Sequence, residues 1–460
     1  MIRSDNNLTP ADLLPSIQKL WEASAPKILS IDREEKPGSA TPVFTVKGRY
    51  TARGWTEWTQ GFVYGSALLQ FDATGDERFL EIGRERTRTR MAHHITHIGV
   101  HDHGFNNVST YGNLLRLMVE GRIVDNRAER DFYELALKCS GAVQAARWTK
   151  IAGGGGFIHS FNGPHSLFAD TIRSLRSLSI SHGLGHALMG EKDERISLLG
   201  RLIEHARTTA DFAVYYGEGR DTYDIRGRVA HESIFNLNDG SYRCPNSQQG
   251  YSPFTTWTRG LAWIVAGYPE QLEWLATLPD SEFESYGGRE TVVAVFLKPA
   301  LATCDFLIEN TPVDGIPYWD TGAPELHRLG DYLDQPAKIH NDWEPVDSSS
   351  AAIAAQGLLR LGRYLGQEGD GRKYWQAGLT MARTVLSEPY LSADPDHQGL
   401  ILHSIYHRPN GWDFIPEGSR IPCGESSMWG DYHARELALF VQRLAEGRDY
   451  TFFGGLAAKH

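Results

Sequence analysis

Two aspartates of this chain stand where acid–base chemistry could be built. Asp102 lies in His101-Asp102-His103-Gly104-Phe105, a loop after an amphipathic stretch. Asp170 lies in Leu167-Phe168-Ala169-Asp170-Thr171-Ile172, at the start of another helical run. The apolar neighbours of Asp170 predict partial burial, which raises a carboxyl pKa toward the range of a general acid. A second carboxylate nearby acts in the same direction. The competing reading of either aspartate, taken alone, is a helix N-cap or a surface acid. Around Asp102, His93, His94, His97, His101 and His103 fall within eleven residues. Imidazoles with a carboxylate can hold a metal. The spacing matches no metal motif, however, and a histidine run at a helix end reads as a solvated face, so no metal is predicted.

Other chemistries lack their signatures. There is no G-x-S-x-G elbow, P-loop or HExxH. The tetraglycine at 153–156 has no GK[ST] after it and no strand before it, and reads as a flexible loop. The four cysteines, Cys139, Cys244, Cys304 and Cys423, form no CxxC pair, which removes zinc-ribbon and thioredoxin-type readings. Cys139 and Cys304 sit in apolar helical stretches and are expected as buried thiols. Trp55, Trp58, Trp257, Trp263, Trp319, Trp343, Trp412 and Trp429 mostly flank loops or helix starts. Indole faces stack on the C–H faces of sugars and indole N–H bonds hydroxyls. The alternative is that large rings fill a large core.

Helices must position these side chains. Leu437, Phe440, Val441 and Leu444 keep an i, i+3, i+4, i+7 spacing, with Gly447 as a stop. Val293, Phe296, Leu297, Ala300, Cys304 and Leu307 do the same, with Pro299 as a kink or break. Leu358, Leu361 and Leu365 form a face behind the cap candidates Asp347 and Ser348. The pattern predicts twelve helical segments, near 10–24, 58–73, 76–97, 110–121, 126–148, 167–186, 191–215, 256–276, 289–309, 349–365, 371–388 and 430–446. Three joints share a Gly-and-acid turn: Thr74-Gly75-Asp76-Glu77-Arg78, Gly190-Glu191-Lys192-Asp193-Glu194-Arg195 and Gly369-Asp370-Gly371-Arg372. They suggest a weak repeat of helical hairpins. Residues 228–237 and 399–407 alternate like strands and read as surface hairpins. Long loops near 218–254 and 310–346, rich in Asp, Gly, Pro and aromatics, are of the kind that carry function. The fold expected is all-α, an (α/α)6 barrel or six-hairpin toroid with small β-hairpins on loops. It would form one catalytic domain over 1–460, with 1–54 as an N-terminal helix and extension. An α-solenoid is the runner-up.

Composition narrows the partners. The 460 residues are 41% hydrophobic and carry a net charge of −11. This excludes a disordered chain, a collagen-like repeat and a disulfide scaffold. An acidic surface argues against nucleic acid, which needs basic contacts to phosphate. It does not exclude a small anion, because salt screens repulsion beyond ~8–10 Å. No secretory signal is visible at the N-terminus and no uncharged apolar stretch of 18 residues is present. The expectation is a cytoplasmic protein without a membrane partner.

Taken in order, several segments resemble the unsaturated glucuronyl hydrolases, glycoside hydrolase family 88, with family 105 as a close relative. They are Trp58-Thr59-Gln60-Gly61-Phe62 with Thr74-Gly75-Asp76, His101-Asp102-His103-Gly104-Phe105, and the Asp170 segment. Next come Gln249-Gly250 and Thr256-Trp257-Thr258-Arg259-Gly260-Leu261-Ala262-Trp263. Asp347-Ser348-Ser349-Ser350-Ala351 and Met428-Trp429-Gly430-Asp431-Tyr432 complete the set. The family fold is an (α/α)6 barrel. The resemblance implies action on oligosaccharides left by polysaccharide lyases, which end in a 4,5-unsaturated uronic acid, without metal or cofactor. It places the catalytic pair at Asp170 and Asp102. Trp58 and Trp263 become stacking platforms, and His231, Gln249 and Arg259 polar cleft residues. Arg259 has a rival reading as a structural arginine paired with a buried acid. Phe161 stands where the family has Trp, and a ring without N–H stacks but cannot donate.

The implied reaction is hydration of a vinyl ether rather than displacement between two spaced carboxyls. An acid protonates C4, the ring oxygen stabilises the cation at C5, and Asp170 as carboxylate deprotonates the water that adds there. The hemiketal then opens and the aglycone leaves, with Asp102 tuning Asp170 and holding the ring. The chain departs from the family in its extra length near 25–54, 264–290 and 320–346, and in Leu261 where Gln is usual. Two other readings compete: a polysaccharide lyase or sugar epimerase on a similar toroid, working through the histidines beside Asp102, and a catalytically silent glycan-binding toroid.

Overall fold

The computed structural model describes residues 1–36, 38–53, 57–450 and 456, so Trp55 lies outside the described residues. Twelve helices alternate between an outer and an inner layer. The outer set is α1 (Leu14–Glu34), α3 (Glu77–Arg90), α5 (Arg127–Ala146), α7 (Leu198–Phe212), α9 (Arg289–Glu309) and α11 (Arg372–Val385). The inner set is α2 (Gln60–Thr74), α4 (103–119, with a π-helical turn at Val108–Gly112), α6 (171–183), α8 (Thr258–Leu275), α10 (Ser348–Leu365) and α12 (Met428–Ala445). Each inner helix packs on the next, and α12 returns to α2, which closes a ring of six. This is the (α/α)6 toroid.

The layering follows from composition. α10, rich in Ser, Ala and Gly, and α12, rich in large apolar and aromatic side chains, are both buried along nearly their whole length. The outer helices are amphipathic; α5 buries Tyr133, Ala136, Leu137, Ser140, Gly141, Gln144 and Ala145 on one stripe and leaves the other side partly or fully exposed. Glycines let inner helices approach. A Cβ on Gly104 would meet the Ser174 carbonyl oxygen at 2.0 Å, joining α4 to α6. α9 is long and apolar enough to cross a membrane, but it is an outer-layer helix packed on α8 and α7.

Among the described residues, nine short strands decorate the loops. β1 (Phe44–Val46) pairs with β2 (Arg49–Thr51), β3 (Trp148–Lys150) with β4 (Gly156–Ile158), and β6 (Leu188–Met189) with β7 (Arg195–Ile196). β5 (Ser166–Phe168), β8 (Glu232–Phe235) and β9 (Tyr242–Asn246) form one antiparallel sheet.

Several expectations are corrected. α1 runs to Glu34, ten residues past the expected end, with Pro26 inside it. The tetraglycine is a structured turn between β3 and β4, made by Gly153, Gly154 and Gly155 at φ 83°, 102° and 79°, which only glycine adopts without strain. The Gly190 joint is the turn of β6–β7, not a helix-to-helix connection. Residues 399–407 form no hairpin and do not lie at the surface. They are a largely buried strap whose amides are taken by carboxylates: Leu400 and Ile401 donate to Asp431, Ile405 to Asp347, and Tyr406 and His407 to Asp413. Cys304 is buried, whereas Cys139 is partly exposed.

Candidate active site

Aromatic and titratable side chains line a cleft of about 750 Å³ at one mouth of the ring. Asp102, Asp170, Trp58, Phe161, Gln249, Arg259 and Trp263 all line it. His231 lies just behind, with Nε2 at 4.0 Å from an Asp170 oxygen. All eight site residues expected from the sequence are therefore brought together.

Local structure explains the placement. Asp102 and Asp170 occupy the N-cap positions of α4 and α6, yet neither side chain caps its helix. Asp347, at the start of α10, does cap, accepting from the Ser349 amide at 3.1 Å. The cap reading is thus right for position and wrong for use: both aspartates turn into the cleft. β5 leads straight into Ala169, whose amide donates to the His231 carbonyl at 2.7 Å, so the β5–β8 pairing sets Asp170 beside His231. The loop of Asp102 is pinned to α6. Ser174 Oγ and Gln144 Nε2 donate to the His101 carbonyl at 2.6 and 2.7 Å, and the Gly104 amide donates to Ser174 Oγ at 2.9 Å.

His101 joins the two carboxyls. Its Nε2 is 3.0 Å from Asp170 Oδ1 and 3.8 Å from Asp102 Oδ1, and its ring is 1% exposed. Phe161 stacks on that ring at 6.0 Å and 22°, and Phe168 meets it edge-on at 5.4 Å. The electrostatics reverse one expectation. Burial pushes Asp170 up, but the charge and hydrogen bond of His101, with His231 and Arg259, hold its carboxyl below the usual range. Asp102 is the carboxyl that is raised, by burial and by Asp170, against the pull of His101. The apolar neighbours of Asp170 in sequence correctly foretell burial. They carry no information about a histidine 69 residues away. Burial lowers His101, but the two aspartates prevail and raise it. Burial keeps His231 neutral, at about 4.

Arg259 stands at the cleft and is also built into the structure. It lines the cleft, yet it is 1% exposed, 3.7 Å from Asp347, and sandwiched 4.5 Å from both Trp257 and Trp429. It donates to Gln249 Oε1 at 2.9 Å and to the Tyr406 carbonyl at 2.7 Å, which ties the Gln249 loop to the 399–407 strap. Trp58 stacks on Trp429 at 5.1 Å, and Trp263 packs on Phe105 at 4.9 Å.

The histidine run is solvated only in part: His93 is exposed and His97 half-buried, whereas His94, His101 and His103 are buried. His94 pairs with Gln60 and Asn106, and His103 with Ser140 and the His97 carbonyl, all in the protein interior. Among the described residues no three His, Cys, Asp or Glu side chains are gathered as a metal would need. Sequence reasoning missed Arg147 as a positioning residue. Its guanidinium donates to the His159 and Ser160 carbonyls at 3.1 and 2.6 Å and to that of Ile98, binding the Phe161 loop to the Asp102 loop. Nothing in the local sequence around Arg147 signals this. Trp257, His407 and Trp412 complete the wall.

No family model matches the chain. It is 25% identical to the unsaturated glucuronyl hydrolase of Formosa agariphila, over 84% of this chain and 80% of that one. To the unsaturated glucuronyl hydrolase of Bacillus sp. strain GL1 it is 24% identical, over 94% and 99%. The crystal structure of unsaturated glucuronyl hydrolase from Streptococcus agalactiae superposes with a TM-score of 0.68 at 19% identity, covering 98% of each chain. A variant of that enzyme has been solved in complex with dGlcA-GalNAc6S. Along nearly its whole length, the chain is similar in sequence to the unsaturated glucuronyl hydrolases and carries their fold.

Proposed function

We propose that the chain is a glycoside hydrolase that removes the terminal 4,5-unsaturated uronic acid from lyase-generated oligosaccharides by hydrating the C4=C5 vinyl ether. The observation that carries this reading is a pair of buried carboxyls bridged by one histidine at the floor of an aromatic-walled cleft. It occurs in a chain similar throughout to enzymes of that name. A displacement mechanism asks for two carboxyls flanking the scissile bond, one as acid and one as base or nucleophile. Hydration asks for one carboxyl that gives a proton to C4 and then takes one from water, with a second group to tune it.

Asp170 is the acid and base. It is ionised in the free site because of His101, and the uronate carboxylate of the substrate adds a like charge that lifts its pKa. Asp102 supplies the second carboxyl of the cluster. Trp58, Trp263 and Phe161 offer faces to the sugar rings, while His231 and Gln249 present polar edges. The entire chain, residues 1–460, acts as one catalytic unit of family 88 type in the cytoplasm, on products supplied by a polysaccharide lyase. The test is loss of the ultraviolet absorbance of the conjugated enol ether when the protein meets unsaturated oligosaccharides from chondroitin, heparin, pectin and ulvan. Loss with one of them establishes the reaction and names the substrate. No loss with any, from folded protein, overturns it.

A further inference from the structure

We infer that His101 is a positioning residue that stores, between turnovers, the proton Asp170 delivers. The inference rests on the reading of Asp170 as acid and base. His101 Nε2 reaches both carboxyls, at 3.0 and 3.8 Å, while Nδ1 is buried with no hydrogen-bond partner among the described residues. A proton on the imidazolium therefore has one way out, through Nε2 to a carboxylate. The ring cannot swing to another acceptor, because Phe161 and Phe168 flank it and its backbone carbonyl is held by Ser174 and Gln144.

The other charged and titratable groups around the ring do not compete. Arg147 is a permanent cation committed to carbonyls. His103, His159, His205 and His231 are all pushed down to between about 3 and about 4 by burial, and stay neutral. Arg259 is committed to Gln249 and the Tyr406 carbonyl. His101 is raised by the two aspartates against its own burial, consistent with a proton held there in the free site.

The protons balance. In the free site His101 carries both ring N–H protons and Asp170 is a carboxylate. When the uronate enters, the Nε2 proton crosses to Asp170 Oδ1, leaving the neutral Nδ1–H tautomer. Asp170 gives that proton to C4, whose new C–H bond uses the C4=C5 π pair, and the positive charge is shared by C5 and the ring oxygen. The Asp170 carboxylate then takes a proton from the water that bonds to C5, and that proton returns to Nε2. One water is consumed and the cluster is restored.

His101→Gln keeps an amide donor but cannot titrate. The expected result is that the basic limb of the kcat profile moves at least one pH unit toward acid, where Asp170 must protonate itself. At neutral pH each unit of that shift costs up to about tenfold. An equal loss at every pH with an unmoved limb marks a purely structural role and overturns the inference. Ring-nitrogen NMR on the unsubstituted protein without substrate decides the same point independently of turnover. His101 should titrate above the ordinary ~6.5 of histidine, and lower in Asp170→Asn than in the unsubstituted protein. Titration below ~6.5, or no change in Asp170→Asn, overturns the storage role. A protein that hydrates no oligosaccharide but shows the raised titration sinks the proposed reaction and leaves the proton where it is placed here.

Discussion

Two buried charge clusters share one helix and treat their charges differently. At the mouth of the ring, Asp170 and Asp102 face a single histidine. Three residues further along α6, Arg173 begins a second cluster on the ring axis. Arg173 donates to Glu270 at 2.6 Å and to Glu436 at 2.9 Å, and Arg176 reaches Glu436 at 3.4 Å. Arg360 pairs with Glu273 and also feels the charges of Glu270 and Glu436. Every cation of the axis cluster has an anion, and the pairs link α6, α8, α10 and α12. A balanced buried set like this adds little net stability over apolar packing, but removing one member leaves an uncompensated charge. At the mouth, two carboxyls compete for one histidine, so one proton has more than one place to sit. Balance makes a clamp; imbalance makes a site that can give and take a proton.

Substitutions break the comparison from either side. The largest effect should come from Asp170→Asn, which removes the acid and base and lowers kcat by ~10²–10⁴-fold. Its melting temperature should stay near that of the unsubstituted protein, read by thermal scan beside the absorbance assay. A variant that keeps more than a tenth of the rate refutes the assignment. Glu436→Ala should do the reverse. It leaves Arg173 and Arg176 sharing Glu270 in the interior, with one buried charge uncompensated, and costs ~3–5 kcal/mol of stability, measured by urea unfolding. A loss under ~1 kcal/mol would show that the axis cluster is no clamp.

The pH dependence of stability sharpens the contrast. Burial opposes the charge on Glu436, but Arg173 and Arg176 hold it down at about 2. A carboxyl depressed in the folded state contributes stability above its unfolded pKa, ~4.3, and loses it as pH falls toward about 2. His433, kept neutral at about 3 by burial, works in the same direction. Its neutral form is accommodated above the unfolded ~6.5, and the penalty grows as pH falls toward about 3. Acid unfolding should therefore start well below the pH at which activity changes, and Glu436→Gln should remove the lower part of the curve. Unfolding and activity limbs that coincide would contradict this separation. Phe161→Trp is the mildest test. It keeps the stacked face on His101 and adds an N–H, so KM should change by no more than a few-fold, within ~1 kcal/mol. A loss comparable to that of Asp170→Asn would mean that Phe161 is doing something other than stacking.

Much of this was legible in the sequence because it is local. The 3.6-residue period locates the twelve helices, and Gly75 followed by Asp76 marks a left-handed stop and an N-cap where α2 meets α3. Most residues that line the cleft were legible from an ordered set of short motifs; Trp58, Asp102, Asp170, Arg259 and Trp263 lie near helix starts, whereas Phe161, His231 and Gln249 come from loops and a strand edge. What failed depended on partners distant in sequence. The alternation of 399–407 is real, but Asp347, Asp413 and Asp431 take the amides that a neighbouring strand would have taken. The histidine run looked solvated because Gln60, Asn106 and Ser140 cannot be seen from it. The ionisation of Asp170 turned on His101, far away in the chain.

Gly104 carries a consequence of its own. The start of α4 lies so close to α6 that a single added carbon would fall 2.0 Å from the Ser174 oxygen. Asp102 and Asp170 ride on the two helix ends that meet there. The spacing of the two aspartates is thus gauged by a hydrogen atom that no larger group can replace. An engineer could recarve the tryptophan walls for a different sugar and keep the chemistry. One methyl at position 104 would act as a wedge, opening that spacing at its root while leaving every acid and base in place.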